Sequence, residues 1–235
     1  MFFFKKNIKK TKKNKMNKYE INFENSNKKF SINEKFKKII EKKEIEEEYI
    51  KYYFLSNFNN KKNKKYEIRN LLKEINNKLI GNFLNIFLRS SKPIINEYGC
   101  FLAENITDKN IFIEYLNLEK IFKKLYKEKK YSEINNITMK FAKKINFYME
   151  IEKPWNMSKN DITKKRAHLV YTTSINLFLI LLIGIKPLIP KISKKIEEII
   201  NIENISWENF KQPILKKKIK KYCKIINKID EKYLL

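Results

Sequence analysis

Ile175 to Ile185 reads INLFLILLIGI, with apolar side chains on every side of any helix it forms. At 11 residues the run is too short for a bilayer, which takes about 20. It is predicted to be the central, buried helix of a globular core, so the rest of the chain must cover it. The polar NMSKND ahead of it offers Ser158, Asn160 or Asp161 as an N-cap, for a helix that runs to about Ile185. KPLIP then turns the chain at Pro187 and Pro190, and Pro190 suits the first turn of the next helix.

The covering segments are also helical by pattern. Ile134, Ile137, Phe141, Ile145 and Tyr148 recur at spacings of three and four, which puts one apolar stripe on a helix. Pro154 stops that helix, because proline lacks the N–H the ladder needs and pushes Lys153 out of the helical region. Tyr66 to Arg89 is a second long helix, ended by Ser90 to Asn96 with Pro93. Further helices are expected over 109–129, around Ile192 to Ile200, and in a final lysine-rich segment with Ile219, Ile225, Ile226 and Ile229. Sustained alternation and Asn-Gly or Asp-Gly turns are absent, so strands are not expected. The fold class is all-α, an antiparallel helical bundle.

The inventory excludes several chemistries. Gly81, Gly99 and Gly184 are the only glycines among 235 residues, so no glycine-rich phosphate loop exists. His168 is the single histidine, and Cys100 and Cys223 lie more than a hundred residues apart. That rules against a zinc site or a Cys–His nucleophile pair. The formal net charge is +27, which points to an anionic partner, nucleic acid before membrane. Only three of 53 basic residues are arginines, namely Arg69, Arg89 and Arg166. The lysine, asparagine and isoleucine usage is also what A/T-rich codons supply, so charge alone assigns nothing. Residues 1–29 read as a basic disordered arm, and MFFFKK is too short for the core of a secretory signal.

Trp155, directly after the Pro154 stop, faces either the core or an unstacked nucleotide base. Its context resembles a known family. Asn85-Ile-Phe-Leu-Arg89 ends one helix and Lys153-Pro154-Trp155 another; Asn176-Leu177-Phe178, Lys186-Pro187-Leu188-Ile189-Pro190, Ser206-Trp207, Gln212-Pro213-Ile214-Leu215 and Asn227-Lys228-Ile229-Asp230 follow in order. This is similar to the C-terminal anticodon-binding domain of bacterial-type methionyl-tRNA synthetases, from about Glu67 to Asp230. The resemblance implies a bundle of the class I synthetase type over 66–235. It also implies that Trp155 stacks on the first anticodon base, that Asn85 and Arg89 bond to anticodon bases, and that Pro154 shapes the corner. Residues 30–65 resemble the segment connecting to the catalytic domain. Lys28 to Asn33 keeps Lys29 and Ser31 of what would be a degenerate KMSKS ATP loop. The HIGH signature needs two histidines, and the sequence has one.

The resemblance therefore implies the tRNA(Met)-reading part of a split or truncated methionine–tRNA ligase, cytoplasmic and not membrane-bound. A separate polypeptide would carry the catalytic domain. No cofactor is expected on this chain; ATP and Mg are implied only for the catalytic partner. The other reading is a non-catalytic RNA-binding module, or a synthetase remnant without that partner. Trp207 is expected to be structural beside Phe210, His168 to carry no chemistry, and the lysines at 216–221 to attract RNA only diffusely.

Overall fold

A computed structural model describes residues 8–11, 18–22, 29–32, 34–42, 45–57 and 65–231. The order begins with strands β1 (Ile8–Thr11), β2 (Lys18–Asn22) and β3 (Lys29–Ile32), then helices α1 (Glu34–Glu41) and α2 (Glu47–Ser56). Strand β4 (Lys65–Tyr66) and helix α3 (Ile68–Leu72) lead into a wide-wound segment, Lys73–Leu84, which continues as α4 (Asn85–Glu97). Then come α5 (Lys109–Leu116), α6 (Leu118–Lys127), α7 (Tyr131–Glu152), α8 (Pro154–Met157), α9 (Asp161–Ile185) and α10 (Pro190–Ile200).

The bundle is helical, as the pattern predicts, and α9 is its axis. From Val170 to Ile185 every residue of α9 is buried, and α4, α5, α6, α7 and α8 all pack on it. Its most apolar window is long enough for a bilayer by composition, yet is 89 % covered by the protein itself. Asn160 is the residue that caps it: the Ile162 N–H donates to Asn160 Oδ1 at 2.9 Å. Pro190 occupies the first turn of α10. Close approach fixes Gly184, because a Cβ there would sit 2.6 Å from the ring of Phe122 on α6. Phe122 is fully buried and has nowhere to turn. Gly184→Ala is therefore expected to cost roughly 1–3 kcal/mol of stability by overpacking; an unchanged urea midpoint would show that α6 and α9 are not this close.

Three helical expectations need correction. Pro93 does not end its helix: α4 runs through it to Glu97. Ile94 is completely buried, Tyr98 N–H still donates to the Ile94 carbonyl, and Gly99 at φ 61 makes the actual stop. Residues 109–129 form two helices meeting at Asn117 rather than one. The lysine-rich terminal segment is not helical; residues 201–230 run as an irregular strap. Two asparagines are among its anchors. Asn176 accepts from the Ile214 N–H at 2.6 Å and donates to the Ile214 carbonyl at 3.1 Å. Asn76 makes the same paired contact with Ile229, both bonds 2.8 Å. A backbone bonded this way to side chains has no use for an i→i−4 ladder.

The strands were not expected either. β1–β4 form one sheet in sequence order, antiparallel except for β3 with β4. The stretch 1–29, expected to be disordered, thus contains β1, β2 and the first residue of β3; its other residues lie outside those described. The register sets Ile21 opposite Phe30 and Tyr19 opposite Ile32, an apolar pairing that four or five residues per strand were too short to advertise as alternation.

The connecting segment is built into the bundle rather than set beside it. Buried Tyr52 on α2 donates to Asn135 Oδ1 at 2.6 Å, and Asn135 donates onward to Glu74 at 3.0 Å. Glu48 reaches α10, where the N–H groups of Lys191 and Ile192 donate to its carboxylate at 2.5 and 3.2 Å. Those are orphan donors at a helix start. Burial raises the Glu48 carboxyl above its usual range, and the two N–H bonds oppose that rise.

Candidate nucleic-acid interface

The corner at Trp155 is made by a change of backbone hand. After α7, Lys153 takes left-handed angles, φ 47 and ψ 55, and its N–H closes onto the Met149 carbonyl at 2.9 Å. A non-glycine residue stays there only when its surroundings hold it. Here Pro154 does so, buried at the first position of α8. Its fixed φ starts a helix and its missing N–H costs nothing at that position. The next residue, Trp155, is half-buried against the edge of the core.

The second wall comes from α4. The guanidinium carbon of Arg89 lies 4.9 Å from the centre of the Trp155 ring, within range of a cation–π contact. Arg89 Nη2 also donates to Glu150 Oε1 at 2.8 Å. Sequence reasoning missed Glu150, although its place on the exposed side of the α7 stripe was available. Asn85 stands one turn before Arg89, half-buried, and its amide has no hydrogen-bond partner among the described residues. The wide-wound segment sets this register. Because Lys73–Leu84 closes larger turns, the Asn85 N–H bonds back to Ile80, five residues earlier. The segment is fastened to α7, since Asn146 donates to the Asn82 carbonyl at 2.9 Å. Wide turns of this kind occur often at functional sites.

The structure thus brings Arg89, Pro154 and Trp155 together, with Asn85 on the adjoining turn. Arg166 on α9 clamps the end of α7 through two bonds to Glu152, at 2.6 and 3.3 Å. That carboxylate raises the Arg166 pKa, so this arginine is spent on architecture. Lys29 and Ser31 fall on β3, shortly before α1 in the chain, and their side chains lie outside the described residues. Trp207 is buried, with its ring 6.1 Å from Phe122 and nearly parallel to it, while Phe210 packs on Phe112. His168 stacks on Tyr98 at 4.1 Å and meets the Phe101 carbonyl through Nε2 at 2.7 Å. Burial lowers its pKa.

Residues 139–221 match the family described as the anticodon binding domain of methionyl tRNA ligase. A methionine–tRNA ligase of Vesicomyosocius okutanii is 26 % identical over 185 residues, covering 78 % of this chain and 34 % of that protein. One from Buchnera aphidicola is 26 % identical over 187 residues, covering 79 % and 34 %. The chain thus spans about a third of the length of these relatives. Mycobacterium tuberculosis methionyl-tRNA synthetase in complex with methionyl-adenylate shares the fold, with a TM-score of 0.73 at 12 % identity, over 80 % of this chain and 39 % of that one. Residues 139–221 are thus similar to the anticodon-binding domain of methionyl-tRNA ligases.

Proposed function

We propose that this chain reads the anticodon loop of a methionine-accepting tRNA through Trp155, Arg89 and Asn85. The observation that carries the reading is the Trp155 ring held at a rigid corner beneath Arg89, with an Asn85 amide on the adjoining turn that has no hydrogen-bond partner among the described residues. In the free protein the guanidinium covers a face of the indole, a contact worth about 0.5–2 kcal/mol. An incoming base takes that place, because base–aromatic stacking contributes roughly 1–3 kcal/mol. The displaced arginine then has the donors of its planar fork that Glu150 does not hold available for a base edge, and Asn85 offers both a donor and an acceptor. Single-stranded loops are the part of an RNA whose bases can be read in this way.

The chain's place in the cell follows as part of the same reading. It works in the cytoplasm, and the catalytic domain that uses ATP and Mg is supplied by a separate polypeptide.

The test compares a tRNA with a CAU anticodon against the same tRNA with its first anticodon base changed. Salt must be fixed near physiological strength, because lysine-driven attraction weakens steeply with it. A preference for CAU of roughly tenfold or more is expected. Equal binding of the two RNAs would remove the anticodon reading. Charging assays with an added catalytic chain test the second part: no methionylation despite CAU-selective binding would remove the partner in trans and leave anticodon binding intact.

A further inference from the structure

The lysines of the terminal strap are not a loose charged run. Residues 100–103 and 216–219 are joined as a short antiparallel ribbon: Ile219 N–H donates to the Cys100 carbonyl at 2.8 Å, Leu102 N–H to Lys217 at 2.9 Å, and Lys216 N–H to Ala103 at 3.0 Å. Phe101 pairs directly with Lys218. The Lys218 ammonium lies 5.7 Å from the centre of the Phe101 ring, and that ring is itself 46 % exposed. His168 fixes the ribbon to α9 through the Phe101 carbonyl. One turn earlier on α9, Lys165 shares Glu104 with Lys216, at 3.6 and 4.0 Å. Both lysines are highly exposed, at 80 % and 74 %. One carboxylate near the limit of ion-pair distance cannot neutralise both of them, and exposed pairs of this kind contribute little. The result is a net positive strip whose backbone is fixed in advance.

We infer that Lys165, Lys216 and Lys218 form a track for the phosphate backbone of the RNA stem adjoining the loop that enters at Trp155. The inference rests on the anticodon reading proposed above. Its placement follows α4: Tyr98, which stacks on His168 beside the ribbon, lies nine residues beyond Arg89, or about 13 Å along the helix axis. A duplex continuing from a bound loop meets surface at that range. Lysine suits the task, because a point charge on a flexible stem positions phosphates without reading bases. Ordering the strip before binding removes part of the entropy that a free lysine tail would lose on contact.

The experiment uses the full chain as wild type, as the double variant Lys216→Glu/Lys218→Glu, and as the milder Lys216→Gln/Lys218→Gln. Each is titrated with intact CAU tRNA and with a single-stranded heptanucleotide carrying the same loop sequence, across a salt series. For the charge-reversal variant with tRNA, affinity is expected to fall roughly tenfold or more and the slope of log K against log salt to shrink by about 1.5–2. The Gln variant should give a smaller loss of the same kind. Heptanucleotide binding and the CAU preference should stay as in wild type. Unchanged tRNA binding by both variants, or equal weakening of tRNA and heptanucleotide, would overturn the track, the latter because it reports only diffuse charge. If wild type shows no CAU preference at all, the anticodon reading falls and takes the track with it. The lysine arms and the anticodon arm therefore fail separately.

Discussion

Trp155→Ala is expected to weaken binding of CAU tRNA by roughly 10- to 100-fold and to erase the preference over a changed first anticodon base, because the base loses a stacking surface worth about 1–3 kcal/mol. The corner itself should survive. Lys153 is held by its bond to Met149 and by buried Pro154, and neither depends on the indole. Far-UV dichroism and the melting profile should therefore stay close to wild type, apart from the modest packing that a half-buried ring contributes. Trp155→Phe should recover part of the affinity, since a smaller ring still offers a face. The salt dependence is the internal control. Stacking releases no counterions, so the slope for Trp155→Ala should match wild type even as the intercept drops. If the variant binds both RNAs as wild type does, Trp155 is a core residue and the interface lies elsewhere.

The residues that made this site legible in the sequence share one property: each acts through its immediate neighbours. Pro154 stops α7 and opens α8 by its own ring geometry, Asn160 caps α9 within two residues, and the apolar run from Ile175 needs no partner to declare itself buried. Trp155, Asn85 and Arg89 were singled out by family resemblance. The 4.9 Å approach of Arg89 to the ring depends on α4 and α7 packing side by side, which no local pattern encodes. What the sequence concealed depends on distant residues. Pro93 sits inside α4 because Ile94 is buried and Gly99 supplies a later stop. Ile219, Ile225 and Ile229 have spacings compatible with a helix, yet the strap is extended because Asn176 and Asn76 capture its backbone across 38 and 153 residues of sequence. The wide turns of Lys73–Leu84 left no mark on an apolar stripe that a regular helix would have produced equally well.

Asn176→Ala is expected to have the largest effect on stability, and its consequences should reach the lysine track. Asn176 is completely buried in α9 and makes three bonds: from Ile214 N–H, to Ile214 carbonyl, and to Thr172 carbonyl at 2.9 Å. Alanine removes all three and leaves the Ile214 N–H and carbonyl facing an apolar helix. Each buried polar group stranded in this way costs about 1–3 kcal/mol, so a total loss of roughly 2–4 kcal/mol is expected. For a chain of this size that lowers the melting temperature by about 5–15 °C. Asn76→Ala breaks the same paired contact at Ile229 and should cost less, because Asn76 is half-buried where Asn176 is completely buried. Hydrogen exchange separates a local release from a general weakening. Amides at Ile214, Lys216 and Ile219 should lose protection in Asn176→Ala well before those at the middle of α7. If protection falls uniformly instead, the strap is no independent unit, and Asn176 acts as an ordinary core residue of α9. A selective loss would mean that one amide side chain, placed in the most apolar helix of the protein, holds the terminal lysines in register.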